Sequence, residues 1–275
     1  MKKDSIKTSL IITTYNRPDA LELVLLSALH QSVLPYEVIV ADDGSTKDTA
    51  LLVDRYKSKF RVPLKHCWHE DQGFRLSHIR NKAIAQSAGD YIVMIDGDVV
   101  LHHHFIRDHM NHRAPNRFIQ GSRVLLSHCL TERSISERQT RFSPFSKGIT
   151  NRLNAISNKL ISPVVSVFYS RTQSHKGVRG CNMSYWKSDL IKVNGFSEEF
   201  VGWGREDSEF VVRMLNNGIQ RYNLKIGGVV YHLWHKDNKN EDLLEQNNLF
   251  LEGAIKQRRT TCADGLGKYL YANEA

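Results

Sequence analysis

Two carboxylates, Asp96 and Asp98, stand one glycine apart at the end of the apolar run of residues 91–95. An apolar run without polar alternation is typical of a strand that is covered on both faces, and such strands carry ligand-binding groups at their carboxyl ends. Repulsion between the two acids favours a positive partner. A divalent cation bridged to the phosphates of a nucleotide fits this need, whereas an Asp-Gly turn is the structural alternative.

A second pair of acids, Asp42 and Asp43, follows the apolar run of residues 37–41. The carboxyl ends of successive parallel strands lie along one edge of a sheet, so we expect these acids to converge with Asp96 and Asp98. Four carboxylates on one rim favour a ligand-binding role. The structural alternative is that two of them cap helices, and this alternative applies most to Asp42.

Two histidines, His232 and His235, follow a predicted strand at residues 226–231. Neutral imidazole binds Mn²⁺ alongside carboxylate oxygen, so the pair is a candidate source of metal ligands, although a lone histidine is more often structural. The triplet His102-His103-His104 comes soon after Asp98. We reject it as a metal site because consecutive side chains point in different directions.

A tryptophan between glycines precedes two further acids in the segment Gly202-Trp203-Gly204-Arg205-Glu206-Asp207. Trp203 can stack on the face of a sugar, and Gly204 leaves space for that sugar. Glu206 and Asp207 stand in the first turn of a predicted helix that runs to Gly218, where the amide dipoles favour anionic groups. The same placement also fits acids that only stabilise the helix.

The elements that must position these residues alternate along the first hundred residues. Strands are predicted at residues 9–15, 37–41, 64–68 and 91–95, and helices follow the first three, with Pro18 in the first turn of the first helix. This rhythm predicts an α/β fold with a mostly parallel central sheet flanked by helices. The sequence has neither GxGxxG after the first strand nor GxxxxGK[ST], which disfavours a dinucleotide-binding domain and a P-loop NTPase.

The composition is that of a soluble globular protein, with 275 residues, 41% hydrophobic and 24% charged. We predict one α/β domain with an insertion. The net charge of +9 implies an anionic partner. No nucleic-acid motif accompanies it, so we expect a phosphorylated ligand or an acidic membrane surface. No signal peptide or membrane-spanning run is evident and the four cysteines are far apart, which predicts a cytoplasmic protein with reduced thiols.

Residues 123–176 differ in composition from the rest of the chain, because their hydrophobic periodicity is weak and serine and arginine are frequent. We interpret them as an insertion between one half at residues 1–122 and a second half at residues 177–275. Apolar residues lie among the bases of this insertion and could dock on an anionic membrane. They are Ile156, Leu160, Ile161, Val164 and Val165. An ordinary solvated helical hairpin is the alternative.

Four strings in order resemble family 2 glycosyltransferases, which have the Rossmann-like GT-A fold, and this resemblance covers about the first 110 residues. The strings are Thr13-Thr14-Tyr15-Asn16-Arg17, Val40-Ala41-Asp42-Asp43-Gly44-Ser45, Arg80-Asn81 and Ile95-Asp96-Gly97-Asp98. In that family the first acids hold the uracil and ribose of a UDP-sugar, and the Asp-x-Asp places Mn²⁺ or Mg²⁺ on the diphosphate. The resemblance implies that Asp98 is a metal ligand. It implies donor contacts for Thr13, Tyr15, Arg17, Asp42, Asp43, Arg80, Asp96 and Gly97, although a solvated helix arginine is the alternative for Arg17.

The Trp-Gly-x-Glu-Asp string resembles the catalytic segment of the β-1,4-galactosyltransferases and of bacterial chondroitin-polymerase-like transferases. In those enzymes the second acid deprotonates the acceptor hydroxyl, and the matching residue is Asp207. They also complete the metal shell with a histidine before a loop like residues 236–240, which favours His235 first and His232 second. Arg205 stands where the galactosyltransferases carry glycine, so their donor preference is not transferred.

Together these features predict an inverting, metal-dependent enzyme that moves a sugar from a UDP-sugar to a saccharide or lipid-linked saccharide acceptor. Glu206 and Asp207 would be catalytic, and Trp203 and Gly204 would contact the acceptor. Residues 1–122 would form the donor-binding half, residues 123–176 an insertion on the acceptor side, and residues 177–275 the acceptor-binding and catalytic half. The implied role is in the synthesis of surface polysaccharide or lipopolysaccharide, without nucleic acid as a partner. The alternatives are a nucleotidylyltransferase that processes sugar nucleotides and a non-catalytic carbohydrate-binding protein.

Overall fold

The fold is known from a computed structural model, which describes residues 6–236 and 240–271. The strands, in chain order, are β1 (Thr8–Thr14), β2 (Glu37–Asp42), β3 (Leu64–Trp68), β4 (Tyr91–Asp96), β5 (Val99–Leu101), β6 (Arg117–Gln120), β7 (Ser122–Leu126), β8 (Ile149–Thr150), β9 (Asn182–Trp186), β10 (Gln220–Asn223) and β11 (Val229–His232).

The α-helices are α1 (Pro18–Leu29), α2 (Lys47–Lys57), α3 (Leu76–Gln86), α4 (Phe105–His112), α5 (His128–Glu137), α6 (Ser162–Tyr169), α7 (Lys187–Lys192), α8 (Glu206–Asn216), α9 (Glu241–Lys256) and α10 (Gly267–Tyr271). A short 3-10 helix spans Arg152–Ala155. Among the described residues, no helix is long and apolar enough to cross a membrane.

The central sheet has seven strands in the order β10-β6-β9-β4-β1-β2-β3. Strands β1 to β4 pair in parallel, as do β6 and β10, and β9 runs antiparallel between β4 and β6. The predicted α/β fold with a mostly parallel central sheet flanked by helices is therefore confirmed. A smaller sheet, β5-β11-β7-β8, stands beside it and was not predicted.

The central strands are covered on both faces, as their unbroken apolar runs indicate. Along β1, Leu10 and Ile12 pack with α1 and α2, whereas Ile11 packs on the opposite face with Ile79 of α3. All three β1 side chains are fully buried. The crossover helices thus fix the ends of β1 and β4 next to each other, with Thr13 directly opposite Asp96 in the ladder.

The carboxyl-terminal region adds a second layer over this edge of the sheet. Helix α8 packs on the sheet through Phe210, and α9 packs on α8 through Leu251 and Ala254 against Val212. Helix α8 thus lies between α9 and that face of the sheet. Residues 123–126 lie in β7, which pairs with β11.

Candidate active site

A cleft of about 520 Å³ opens where the ends of β1 and β4 meet the end of β11 and the start of α8. The structure brings most of the predicted site residues to this cleft, although they come from segments up to 222 positions apart. They are Thr13, Tyr15, Arg17, Asp43, Arg80, Asp96, Gly97, Asp98, Trp203, Glu206, Asp207, His232 and His235. Asp42 and Gly204 do not line it.

Asp98, His232 and His235 form the group most suited to a metal ion, because one ligand atom of each lies within 4.8 Å of the others. The Nε2 atom of His232 is 3.7 Å from Asp98 Oδ1, and that of His235 is 3.4 Å from Asp98 Oδ2. Burial lowers the pKa of His232, which favours the neutral imidazole that ligates metals.

The chemistry of this group fits the predicted cation. One carboxylate with two imidazoles is a donor set that suits Mn²⁺. Oδ1 of Asp98 is buried and accepts no hydrogen bond from the described residues, so a positive ligand is the partner it lacks. His104, from the rejected triplet, bonds instead to Ser32.

Gly97 lets the two acids after β4 sit against β1. A Cβ atom on this residue would lie 2.7 Å from the carbonyl oxygen of Thr13, which is too close for any side chain. The hydroxyl of Thr13 donates a hydrogen bond to Asp96 Oδ1 at 3.0 Å. The glycine between the acids is therefore a packing requirement, and Thr13 orients Asp96 at the floor of the cleft.

Arg80 links the acid pair of β4 to the acids of α8. It is 1% exposed, and its guanidinium lies 2.7 Å from Asp207 Oδ1 and 3.4 Å from Asp96 Oδ1. We expected contacts with the base and phosphates of the donor. The structure places the side chain against these two carboxylates, because a buried guanidinium needs paired negative charge.

Asp207 is held from two sides. Its Oδ1 accepts from Arg80, and its Oδ2 accepts from the backbone N–H of Gly180 at 2.9 Å. A Cβ atom at Gly180 would lie 2.2 Å from Asp207 Oδ2, so only glycine allows this contact. The carboxylate is thus fixed at the wall of the cleft with its negative charge compensated.

Glu206 differs from its neighbour Asp207 in its environment. Burial raises the pKa of Glu206 to about 8, and the negative charge of Asp207 acts in the same direction, against the opposing effect of Arg80. Its Oε2 accepts the backbone N–H of Gly204 at 3.1 Å. At neutral pH Glu206 is therefore mostly an uncharged acid that supports the turn before α8.

This protonation makes a prediction about stability. Between the ordinary Glu pKa of 4.5 and about 8, the folded protein binds more protons at Glu206 than the unfolded chain does. Its contribution to stability therefore falls as pH rises through this window. Glu206→Gln has no carboxyl group to titrate at this position. We therefore expect the melting temperature of this variant minus that of wild type to increase from pH 5 to pH 8 in metal-free buffer. Parallel melting profiles across this range would contradict the assignment.

The opposite end of the cleft carries aromatic rings and a carboxylate. Asp43 Oδ1 pairs with His69 at 2.7 Å, and its Oδ2 accepts the backbone N–H of Arg75 at 2.9 Å. Burial raises the pKa of Asp43. Tyr15 is half-exposed and its hydroxyl donates a hydrogen bond to Asp71 at 2.9 Å, and Phe74 also lines the cleft.

Asp42 lies beneath this end of the cleft and not at its surface. It is fully buried, and its two oxygens accept from the backbone N–H of Ser45 at 2.8 Å and from His66 at 2.9 Å. The side chain supports the turn before α2, close to the capping role offered as the alternative, although Thr46 is the N-cap residue. The expected donor contact of Asp42 stays a prediction. Adjacent strand residues point to opposite faces, so only one of the two acids reaches the cleft.

Several cleft residues were missed by sequence reasoning. Arg123 was grouped with the insertion at residues 123–176, and Arg179 and Gly180 were not singled out within residues 177–275. The glycines at 177 and 180 were the available signal of a close approach. The predicted loop at residues 236–240 falls largely on residues 237–239, which lie outside the described residues.

Two family matches cover most of the chain. Residues 9–168 match the family described as glycosyl transferase family 2. This match covers more than half of the 275 residues, so the chain belongs to glycosyl transferase family 2. Residues 164–236 match the family described as the N-terminal domain of galactosyltransferase. The predicted family, with a galactosyltransferase-like segment towards the carboxyl terminus, is confirmed.

Curated relatives are similar over most of this chain. Chondroitin synthase from Pasteurella multocida (strain Pm70) is 26% identical over 270 residues, which are 92% of this chain and 27% of the synthase. Validoxylamine A glucosyltransferase from Streptomyces hygroscopicus subsp. limoneus is 26% identical over 225 residues, 77% of this chain and 48% of that protein. The chain thus spans between about a quarter and a half of the length of these relatives.

Solved structures share the fold. S. aureus TarS 1-349 in complex with UDP has a TM-score of 0.57 and 17% identity, over 96% of this chain and 68% of that one. The mannosyltransferase PcManGT from Pyrobaculum calidifontis, in complex with GDP-Man and Mn²⁺, has a TM-score of 0.59 and 16% identity, over 93% and 72%. The predicted GT-A fold is confirmed by these neighbours.

Proposed function

We propose that the chain transfers a sugar from a UDP-sugar to a saccharide acceptor, with inversion at the anomeric carbon. The observation that carries this proposal is that Asp207, fixed by Arg80 and Gly180, faces the same cleft as Asp98 and the two histidines. A base and a candidate metal site thus share one cavity. The complexes of TarS with UDP and of PcManGT with GDP-Man and Mn²⁺ support a nucleotide-sugar donor.

The donor would lie along the ends of β1 and β4. Tyr15 and Phe74 flank the end of the cleft that suits a flat base, and Asp43 offers a carboxylate there. The Nη1 atom of Arg17 is buried without a hydrogen-bond partner among the described residues, 3.7 Å from Asp98. Its ion pair with Asp98 is too long for a hydrogen bond, so this nitrogen can still donate to a phosphate oxygen.

Asp98, His232 and His235 would hold Mn²⁺ or Mg²⁺. When bound, such an ion offsets the negative charge that develops on the departing diphosphate. Arg17 would add a second positive group at the same place. Asp96, hydrogen-bonded to Thr13 and close to Arg80, shapes the floor between the ion site and Asp207.

Asp207 would act as the general base. It takes the proton of an acceptor hydroxyl as the hydroxyl oxygen attacks the anomeric carbon and the bond to UDP breaks on the opposite face. One displacement of this kind inverts the configuration. The half-exposed Trp203 offers a ring on which the acceptor sugar can stack, next to Gly204. Residues 1–122 would thus bind the donor, and residues 123–176 and 177–275 would serve the acceptor and catalysis.

The deciding experiment measures UDP release from a panel of UDP-sugars, with and without Mn²⁺ and saccharide acceptors. We expect metal-dependent UDP release that an acceptor accelerates, and NMR of the product should show an inverted anomeric centre. Retention of configuration would refute the single displacement. Pyrophosphate release from a nucleoside triphosphate would identify a nucleotidylyltransferase, and saccharide binding without turnover would identify a binding protein.

We further propose that the protein works in the cytoplasm, on surface polysaccharide or lipopolysaccharide, and touches the anionic face of a membrane through α6. Its four cysteines are free thiols, as is usual in a reducing compartment. Polar residues of helix α6 face the protein and apolar residues face the solvent. Ser162 and Ser166 form hydrogen bonds with the backbone of Lys225. Leu160, just before the helix, and Val164 and Phe168 within it are 76%, 74% and 64% exposed.

The charges around α6 complement an anionic surface. Residues 138–188 contain nine lysines and arginines and no Asp or Glu. Arg171 lies 5.1 Å from the ring of Phe168, and Lys225 lies 5.3 Å from that of Tyr169. An exposed apolar face bordered by bases is typical of helices that lie in a membrane interface. A membrane location would also suit a lipid-linked acceptor.

The triple variant Leu160→Ser, Val164→Ser and Phe168→Ser tests this contact. In co-sedimentation with vesicles that contain anionic lipid, we expect at least about a tenfold loss of binding, because three apolar side chains no longer enter the interface. UDP binding should not change. The matched control is Leu51→Ser with Leu249→Ser, which removes exposed leucines elsewhere. Equal vesicle binding by all three proteins would refute the docking surface.

A further inference from the structure

Two arginines in the cleft, Arg123 and Arg179, have no role in the proposed reaction. Arg123 lies in β7, opposite Val230 of β11, and Arg179 directly precedes Gly180, whose amide holds Asp207. Both line the cleft. Arg179 therefore stands next to the residue that holds the proposed base, and Arg123 lies on the strand beside that of His232.

Neither guanidinium is paired within the described part of the chain. No carboxylate of a described residue lies within 4 Å of either group, and the buried Nε of Arg123 has no hydrogen-bond partner among those residues. Arg80 differs from these two arginines, because in the same cleft it forms ion pairs with the carboxylates of Asp96 and Asp207. Partial burial and then the positive charge of Arg123 lower the pKa of Arg179, as expected for two like charges that line one cleft.

Arg123 is half-buried and Arg179 is exposed, and neither has a negative partner among the described residues. An anion that binds both guanidinium groups would supply that partner. We infer that Arg123 and Arg179 bind an anionic group on the saccharide acceptor, either a sugar carboxylate or a phosphate. This inference rests on the proposed function, since it names the acceptor class for the same cleft. Guanidinium groups suit both anions because their N–H donors match pairs of oxygens.

The donor diphosphate is the competing anion, and the order of strands argues against it. From Asp98, just before β5, the small sheet proceeds through β11 with His232 to β7 with Arg123. Arg123 thus lies one strand beyond the candidate metal ligand. On the near side, Nη1 of Arg17 already stands 3.7 Å from Asp98 Oδ2 and donates no hydrogen bond to a described residue, so it suits a phosphate there.

The test measures the affinity of the protein, loaded with UDP and Mn²⁺, for three disaccharides by calorimetry. One carries a hexuronate, one carries a sugar phosphate, and one is the neutral parent. We expect wild type to bind at least one acidic disaccharide more tightly than the neutral one. Arg123→Gln and Arg179→Gln should each weaken that binding about ten- to a hundredfold. The acidic disaccharide whose binding these variants weaken shows whether the recognised anion is a sugar carboxylate or a phosphate.

Two controls show whether the effect belongs to these arginines and to the acceptor. Arg61→Gln removes an exposed arginine outside the cleft and should leave all affinities unchanged. The affinity for UDP itself should stay within about twofold in both cleft variants, and a parallel loss would assign the arginines to the diphosphate and overturn the inference. Equal binding of neutral and acidic disaccharides by wild type would overturn it as well. Because binding is measured without turnover, failure of the proposed transfer reaction would be seen separately in the UDP-release assay.

Discussion

Asp207→Asn is expected to lower the rate of sugar transfer by about 10²- to 10⁴-fold, the range typical of the loss of a general base. The amide cannot accept the proton of the acceptor hydroxyl. It can still accept the hydrogen bond from Gly180, so the turn before α8 should persist. UDP binding, measured by calorimetry with Mn²⁺, should remain nearly intact because Asp207 lies away from Tyr15 and Asp43.

Glu206→Gln is the matched control for this variant. It changes the adjacent acid of the same turn, and glutamine resembles the uncharged form that burial favours at Glu206. We expect its turnover to stay within several-fold of wild type. If Asp207→Asn loses donor binding as strongly as turnover, or if both variants lose turnover equally, Asp207 is not the base.

Asp98→Asn is expected to abolish both Mn²⁺ binding and transfer. The ion supplies several kcal/mol of charge stabilisation, and about 1.4 kcal/mol corresponds to a factor of ten, so the rate should fall by about 10³-fold or more. In wild type, excess EDTA should remove activity and Mn²⁺ should restore it. Electron paramagnetic resonance of added Mn²⁺ reports ion binding independently of turnover.

His104→Gln is the control for the metal site. His104 belongs to the histidine triplet near Asp98 in sequence, but its ring bonds to Ser32 and lies outside the group of three ligands. Its loss should leave Mn²⁺ binding unchanged. Full turnover of wild type in excess chelator, or tight Mn²⁺ binding by Asp98→Asn, would remove the ion from the mechanism.

The parts of the fold that the sequence predicted are those with local signals. Strands β1 to β4 are buried on both faces and show as apolar runs, and β3 was predicted with the observed bounds. The strands β5 and β8 span three and two residues, too few for any periodicity. Strand β9 mixes polar and apolar residues and runs antiparallel between β4 and β6, and no local signal in the sequence gives that direction.

The same limit applies within the site. Residues that follow strands, such as Asp96 and Asp98, could be assigned to one edge because parallel strands end together. The partner of Arg80 could not, because it is Asp207, 127 positions away. Arg123 and Arg179 lacked a signal for a different reason. They lie in a region full of bases, and only the folded chain shows which two face the cleft.

The contact between Gly180 and Asp207 also limits how this cleft can be redesigned. Any side chain at position 180 would displace the carboxylate, so saturation libraries aimed at new specificities should leave this position untouched. The two preceding residues, Val178 and Arg179, line the cavity without that restriction. Substrate range could thus be diversified immediately beside the reactive group while the geometry of the chemistry stays constant.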